Sequence, residues 1–361
     1  MRIGVICPYS VTVPGGVQGQ ALGLARTLRR LGHETRVLAP CDGPPPDAGV
    51  TPLGNSLPTA ANGSVAPIAP DVPAQLRTIR ALRDEAFDVV HLHEPLCPGP
   101  THTALLFKSQ PLVGTFHAAG GSAAYRAFEP ALRWMVRRLD VRCAVSADAE
   151  KMAREALGGT YVQTFNGVEL DAFGKADPHP TAGPTILFLG RHEPRKGLAV
   201  LLEAMTRLPS NVRLWIGSDG PETLELRSRS AGDPRIEWLG RITDDEKARR
   251  LRGADVFCAP SLRGESFGVV LLEAMAAETA VVASDLPGYA NVARADRDAL
   301  LVPPGDAGAL AGALERVLTD RRLRDSLVLS GEARAGGFSM ERLAEVYLDL
   351  YRAVLHRPAS V

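Results

Sequence analysis

The sequence predicts an α/β protein of two Rossmann-like halves facing a central cleft, with a C-terminal helix that crosses back to the first half. Three observations carry this. Short apolar runs of strand length alternate with stretches whose apolar residues recur at helical spacing, the rhythm of a doubly wound parallel sheet. The rhythm breaks at the polar, proline-containing segment Lys175 to Pro184 and then starts again. The length of 361 residues suits two domains, each able to bury its own core.

Ile3 to Cys7 is an apolar run followed by the turn-rich YSVTVPGG, and Ala21, Leu24, Ala25, Leu28 and Leu31 then recur at helical spacing. Gly32 stops that helix, and Glu34 to Ala39 (ETRVLA) reads as the next strand, so a right-handed βαβ unit is expected. Cys41 to Pro73 is dense in Pro, Gly, Asn and Ser and reads as irregular loop with room for a short hairpin. Leu76 to Arg83 reads as a basic helix, Phe87 to Leu92 as a buried strand, Thr101 to Phe107 as helix, and Leu112 to Phe116 and Val141 to Val145 as strands. The second half repeats the pattern, with strands at 185–189, 212–216, 236–239, 256–259, 280–283 and 299–302. In the tail, Leu343, Val346, Tyr347, Leu350, Tyr351 and Val354 form an apolar stripe that needs a groove to pack in. The expected domains are 1–168, completed by helix 341–361, and 169–340.

Composition removes several classes. Hydrophobic residues make up 45% and charged residues 23%, unlike a disordered chain. Lys plus Arg equals Asp plus Glu at 41 each, so no global field favours nucleic acid, which is not expected as a partner. The cysteines Cys7, Cys41, Cys97, Cys143 and Cys258 are scattered, odd in number and without C-x-x-C spacing, which suits free thiols in a reducing compartment. The N-terminal apolar run is too short for a signal peptide, and no stretch has the apolar length of a membrane span. A cytoplasmic protein is expected. Peripheral contact with the inner face of the membrane stays open through Arg77, Arg80 and Arg83, which recur among Leu76, Ile79 and Leu82; a solvated helix face is the plainer reading.

Three motifs carry chemistry. In PGGVQG (Pro14 to Gly19), Gly15 and Gly16 would let a phosphate approach a helix N-terminus, although a tight turn explains them equally. G-x-G-x-x-G is absent, and the second strand ends in Ala39-Pro40 without an acid to hold a ribose. GRHEPRKG (Gly190 to Gly197) puts Arg191, Arg195 and Lys196 on one loop at a strand's carboxyl end, suiting a diphosphate; the bland alternative is a solvated loop with Glu193 as local partner. ESFGVVLLEAMA holds Glu265 and Glu273 eight residues apart where a helix begins. On a helix that spacing is roughly 800°, about 80° beyond two turns, so the two acids would touch different parts of one extended ligand. A capping carboxylate and a surface salt bridge are the alternatives for each acid alone. His91 and His93 share one face of a strand, but no third ligand is evident and no metal is expected.

Together these residues resemble the retaining glycosyltransferases of the GT-B fold, family four, whose E-x7-E signature is matched by Glu265 and Glu273 and whose diphosphate loop by Arg191 and Lys196. The resemblance covers nearly the whole chain. CPYSVTVPGGVQ, NGSVA, FDVVHLHEP, TFHA, FNGVE, EPRKG, ADVFCAP, GESFGVVLLEAMA and AVVASDLPG look, in that order, like segments of the branch that transfers mannose to an inositol phospholipid. It implies a donor set of Gly15, Gly16, Ile242, Asp244, Lys247, Ser266, Phe267, Gly268 and Glu273: Glu273 for the ribose, Asp244 and Lys247 near the base, and the amides of Phe267 and Gly268 beside the sugar. It implies that His117 faces the sugar, that Arg191 and Lys196 neutralise the departing diphosphate, that Glu265 holds sugar hydroxyls, and that Tyr9 and Asn62 lie on the acceptor side. Configuration would be retained with no metal and no cofactor, the leaving phosphate taking the acceptor's proton, so no general base is assigned. Asn166-Gly167 and the start of the C-terminal helix would hinge a closure of the halves over the donor.

The resemblance implies transfer of a hexose, mannose from GDP-mannose being expected, to a hydroxyl acceptor that is a lipid or small molecule. Alternatives are a UDP-sugar donor on the same fold and a nucleotide-sugar-binding protein without transferase activity. An epimerase of this architecture fits less well, because acidic residues around the sugar are not found in the first half. The chain departs from the mannosyl-transferring branch where polar and basic residues are expected to grip an inositol phosphate. Pro67-Ile68-Ala69 and Ala118-Ala119-Gly120-Gly121 stand there instead, and the loop from Arg191 to Lys196 is one residue shorter than expected.

Overall fold

The structure, a computed structural model, describes residues 1–61, 64–117 and 129–356. The chain divides into two compact units, Met1–Gly167 with Met340–Val361, and Val168–Ser339.

The first unit is built on a seven-stranded parallel sheet of order β3-β2-β1-β6-β7-β8-β9. Its strands are β1 Arg2–Ile6, β2 Glu34–Ala39, β3 Val50–Pro52, β6 Val89–His93, β7 Leu112–Phe116, β8 Val141–Ala144 and β9 Val162–Gln163. β6 and β7 are buried at every position, as apolar strands covered on both faces must be. Ile3 pairs with Thr35 on one side and Val89 on the other, which sets the register of the first crossover. The helices are α1 Gly16–Arg30, α2 Val72–Asp84, α3 Pro100–Phe107, α4 Glu129–Val136 and α5 Ala147–Leu157.

The segment Cys41 to Pro73 has more order than its composition suggests. It contains the edge strand β3 and an antiparallel hairpin of β4 Leu57–Ala61 and β5 Ser64–Ile68. Pro52 is tolerated because β3 lies at the sheet's edge, where one side of the strand has no ladder to satisfy. Helix α2 starts four residues before Leu76, because Asp71 caps it by accepting from the Ala74 amide at 3.4 Å and Pro73 fits the first turn. β9 escapes a sequence reading for a plain reason: it is two exposed residues with no apolar pattern.

The second unit carries a six-stranded parallel sheet of order β12-β11-β10-β13-β14-β15. The strands are β10 Thr185–Leu189, β11 Arg213–Gly217, β12 Ile236–Gly240, β13 Val256–Ala259, β14 Ala280–Ser284 and β15 Leu300–Val302. Its helices are α6 Leu170–Gly174, α7 Leu198–Met205, α8 Thr223–Arg229, α9 Asp244–Gly253, α10 Val269–Ala276, α11 Pro287–Ala290, α12 Ala307–Thr319 and α13 Arg321–Gly336. One core joins Ile186, Ile216, Val256 and Val282 of the sheet to Leu201 and Leu314 of flanking helices.

The last helix, α14 Met340–Leu355, belongs to the first unit. Its stripe of Leu343, Ala344, Tyr347, Leu348, Tyr351 and Val354 is buried in one core with Ala21, Leu24 and Leu28 of α1. At about 1.5–3 kcal/mol for each large side chain fully buried, this stripe accounts for the helix's placement without help from its charged face.

Candidate active site

In a parallel sheet every strand ends on the same edge, so in the second unit the loops after β10 to β14 gather there. The loop after β10 runs to a 3-10 turn, Pro194–Lys196, and then to Gly197 at φ 69°. A Cβ on residue 197 would collide with the Pro260 carbonyl oxygen, so only glycine lets this loop lie against the loop after β13. The Leu262 amide donates to the Arg195 carbonyl at 2.7 Å and closes the seam.

That seam brings Lys196 to Glu265. The ammonium donates to Oε1 at 2.6 Å, Ser261 Oγ donates to the same oxygen at 3.0 Å, and Arg195 Nη1 stands 3.7 Å away. Ser261 Oγ also lies 3.0 Å from the Tyr289 hydroxyl, whose burial holds it in the neutral form. A Cβ on Gly288 would strike the Glu265 carbonyl, so α11 packs directly on the backbone that carries this carboxylate. Buried Glu193 takes Arg191 Nε on one oxygen and Arg195 Nε on the other, both at 2.9 Å. The local partner weighed for the arginine loop is therefore real, and Arg191, at 44% exposure, still presents much of its guanidinium to solvent.

One expectation needs correction. Glu265 is not on the helix that holds Glu273, because Gly268 takes φ 96° and α10 begins only at Val269. The angular arithmetic over eight helical residues therefore does not apply, and the loop after β13 sets the direction of Glu265. Glu273 does lie on α10, where it accepts from Lys247 Nζ at 2.9 Å; Asp244 is 3.4 Å from the same ammonium. Burial alone would lower the Lys247 pKa, but the two carboxylates outweigh it and hold the ammonium above its ordinary value. Asp244 is 99% exposed in the first turn of α9, and Ile242 is half-buried beside Gly217. Phe267 is buried edge-on against Phe338 at 5.8 Å, and the Ser266 carbonyl accepts from Asn291 at 3.3 Å.

The first unit gathers its own set on the carboxyl edge of its sheet. Gly15 caps α1 without a side-chain bond, and no acid occupies the first turn, so that turn keeps the positive end of the helix dipole. A Cβ on Gly15 would strike the Gln18 side chain, whereas one on Gly16 meets nothing within 4 Å among the described residues. His117 follows β7, with its amide on Glu94 Oε1 at 2.9 Å, Nδ1 3.1 Å from Asn166 Oδ1 and Nε2 2.9 Å from His93 Nδ1. Burial pushes the His117 imidazole down to about 4. Tyr9 is half-buried and bridges Ile68 at the end of β5; burial keeps its phenol protonated. Asn62 and the stretch Ala118 to Gly121 lie outside the described residues.

The His-x-His pair does share one face, and both nitrogens of His91 are engaged within the protein, Nδ1 by the Tyr351 hydroxyl and Nε2 by Thr115 Oγ1, each at 2.7 Å. Of the three arginines on α2, Arg77 donates to the Leu53 carbonyl and Arg83 lies over the Phe107 ring, while Arg80, 83% exposed, pairs with Asp84. Among the described residues no helix is long and apolar enough to cross a membrane. Ser261 and Tyr289 were not singled out from sequence as site residues, Glu193 was read only as a local partner of the arginine loop, and Gly288 only as part of AVVASDLPG. The sequence signal for Tyr289 is the DLPG turn, Asp285 to Gly288, directly before it.

Solved structures similar to this chain over nearly its whole length show what the architecture is. Anabaena HepE in complex with UDP and glucose aligns with a TM-score of 0.75 at 18% identity, over 98% of this chain and 100% of that one. Sucrose-phosphate synthase from Thermosynechococcus elongatus aligns at 0.76 and 21% identity, over 98% of each. The fold is that of the GT-B glycosyltransferases. Residues 14–172 match the model of Glycosyltransferase Family 4, and residues 183–320 that of Glycosyl transferases group 1. The chain is 41% identical to phosphatidyl-myo-inositol mannosyltransferase of Mycobacterium leprae over 98% of this chain and 97% of that one, and 42% identical to that of Mycolicibacterium smegmatis over 98% and 94%. A D-inositol 3-phosphate glycosyltransferase of Xylanimonas cellulosilytica is 31% identical over 96% and 93%. The chain belongs to the glycosyltransferase family that contains the phosphatidyl-myo-inositol mannosyltransferases, and it is a glycosyltransferase.

Proposed function

We propose that this enzyme transfers mannose from GDP-mannose to a ring hydroxyl of an inositol phospholipid, with retention of configuration and without a metal ion. The observation that carries the reading is full-length identity of 41% to a phosphatidyl-myo-inositol mannosyltransferase. The charged loops of the second unit are suited to the donor. Arg191 and Lys196 supply the positive charge that a departing diphosphate needs, and Lys196 would exchange its carboxylate partner for a phosphate oxygen. Glu265, braced by Ser261, would then direct its oxygens at sugar hydroxyls, with the amides of Phe267 and Gly268 beside it. Glu273 would accept from the ribose, and Ile242, Asp244 and Lys247 would border the base.

In the transfer, the bond from the sugar's anomeric carbon to the phosphate oxygen breaks with its electron pair going to the diphosphate. The acceptor oxygen forms its bond on the same face and passes its proton to that departing oxygen. His117, neutral and buried, would lie beside the sugar without titrating near neutral pH. Gly16 would let the amide end of α1 approach the donor. A lipid acceptor puts the reaction at the cytoplasmic membrane surface; on α2 the exposed apolar residues Val72 and Leu76, together with Arg80, are the groups suited to touch it.

Donor choice is tested by thermal shift with GDP, UDP and ADP and then with their sugars, because a ligand that binds the native state must stabilise it. A selective shift with GDP and GDP-mannose is expected, together with EDTA-insensitive turnover and a product whose anomeric proton shows retained configuration. A shift confined to UDP and its sugars would move the donor to a UDP-sugar. Tight GDP-mannose binding with no transfer to any alcohol would reduce the protein to a nucleotide-sugar binder.

A further inference from the structure

We infer that His93 is a positioning residue for His117: its Nδ1–H fixes the His117 imidazole in one neutral tautomer and one orientation. The inference rests on the reading above that His117 lies beside the transferred sugar.

Strand register builds the arrangement. His93 pairs with Thr115 across β6 and β7, and His117 comes two residues after Thr115, on the same face. The rings of His91, His93 and His117 therefore form a buried row: His91 and His93 have centroids 4.6 Å apart and planes within 22°, and His93 meets His117 edge to edge, with centroids 5.1 Å apart and planes within 18°. Proton accounting then leaves one solution. Asn166 presents its carbonyl oxygen to His117 Nδ1, so that nitrogen carries the hydrogen. Nε2 of the neutral ring is then a lone pair, and the hydrogen shared with His93 must sit on His93 Nδ1. His93 Nε2 is left as a lone pair, buried and without a hydrogen-bond partner among the described residues. The reverse order would bury an unpaired N–H on His93 and set a lone pair of His117 against the Asn166 oxygen.

His91 is the platform of the row. The Tyr351 hydroxyl donates to its Nδ1, and its Nε2–H donates to Thr115 Oγ1. The chain continues from Thr115 to the Tyr347 hydroxyl at 2.9 Å, to Thr164 Oγ1 at 3.4 Å, and ends on the Ala144 carbonyl at 3.3 Å. Every hydrogen in that chain has an acceptor, so α14 holds His91 neutral and in place beneath His93. On the far side Glu94, at the strained φ of 47°, takes the His117 amide. His117 thus faces His93, Asn166 and the Glu94 carboxylate, with His91 one ring behind. Both of its nitrogens are committed inside the first unit, and the ring can neither flip nor take a proton without breaking one of these bonds.

The test compares His93→Asn, His93→Gln and His93→Leu with the parent enzyme. An asparagine amide nitrogen reaches the place of Nδ1, whereas glutamine fills more of the histidine volume but puts its amide too far out. With GDP-mannose as donor, kcat should fall about 10- to 100-fold in His93→Leu and His93→Gln while KM for the donor changes little, and His93→Asn should recover most of it. The acid limb of the pH profile should move up in His93→Leu, because a bond donated to the neutral form of His117 has been lost. Nitrogen-15 NMR of labelled histidine should show His117 protonated on Nδ1 in the parent. A parent His117 protonated on Nε2, or a ranking in which Gln rescues better than Asn, would overturn the inference. Failure of the reading beneath it would look different: the expected NMR tautomer, with His117→Ala turning over at the parental rate.

Discussion

At the scale of single residues, Glu265 shows how far the placing of one carboxylate depends on its neighbours. Its oxygen is shared by Lys196 and Ser261, Ser261 is held by Tyr289, and Gly288 lets α11 reach the main chain of Glu265. Glu265→Gln keeps the shape and the Ser261 contact but removes the charge. Steady-state kinetics with GDP-mannose should show kcat lower by roughly 10²- to 10³-fold, with GDP affinity in a binding titration much less affected. Much of this was legible in the sequence as a list of participants, since E-x7-E and the Arg–Lys loop stand out by residue type and spacing. Their pairing was not. Lys196 and Glu265 are 69 residues apart and meet only because β10 and β13 are neighbours and Gly197 admits the Pro260 carbonyl. Gly268 likewise reads as part of a helix start, yet its positive φ separates Glu265 from the helix that carries Glu273.

At the scale of elements, legibility followed length and apolar content. Strands such as VVHLH and TILFL are buried on both faces and announce themselves, and the α14 stripe announces a groove. β3 and β9 are three and two residues long, and what orders them is pairing to β2 and β8, a tertiary fact. The start of α2 depends on the Asp71 cap, which a search for apolar periodicity passes over. Because α14 completes the first unit's core, Leu343→Ala should weaken that unit by about 2–5 kcal/mol in urea denaturation. A change that stays within about 0.5 kcal/mol would mean that α14 contributes little packing.

At the scale of the molecule, a formal charge of zero hides an uneven distribution of buried imidazoles. His91, His93 and His117 lie in the first unit, where burial pushes His91 down to about 3 and His117 to about 4 and holds His93 well below its ordinary value. An unfolded histidine takes a proton near pH 6.5, whereas these take theirs only far below it, so between those values the unfolded state binds more protons. The resulting stability is complete above about pH 6.5 and is lost as pH falls toward 4. The denaturation midpoint of the first unit should therefore drop between pH 7.5 and 5, more than that of the second unit, which holds His192 as its deeply buried imidazole. Equal shifts in the two units would contradict this account.

The family relationship and the two sheets define a glycosyltransferase, and the most direct test of the particular reaction is the mass of the acceptor. Phosphatidylinositol vesicles incubated with the enzyme and GDP-mannose should yield a lipid heavier by one hexose residue, with GDP released in equal amount and both products absent for Glu265→Ala. An unchanged lipid, whether or not GDP accumulates by hydrolysis, would contradict transfer of mannose to an inositol phospholipid.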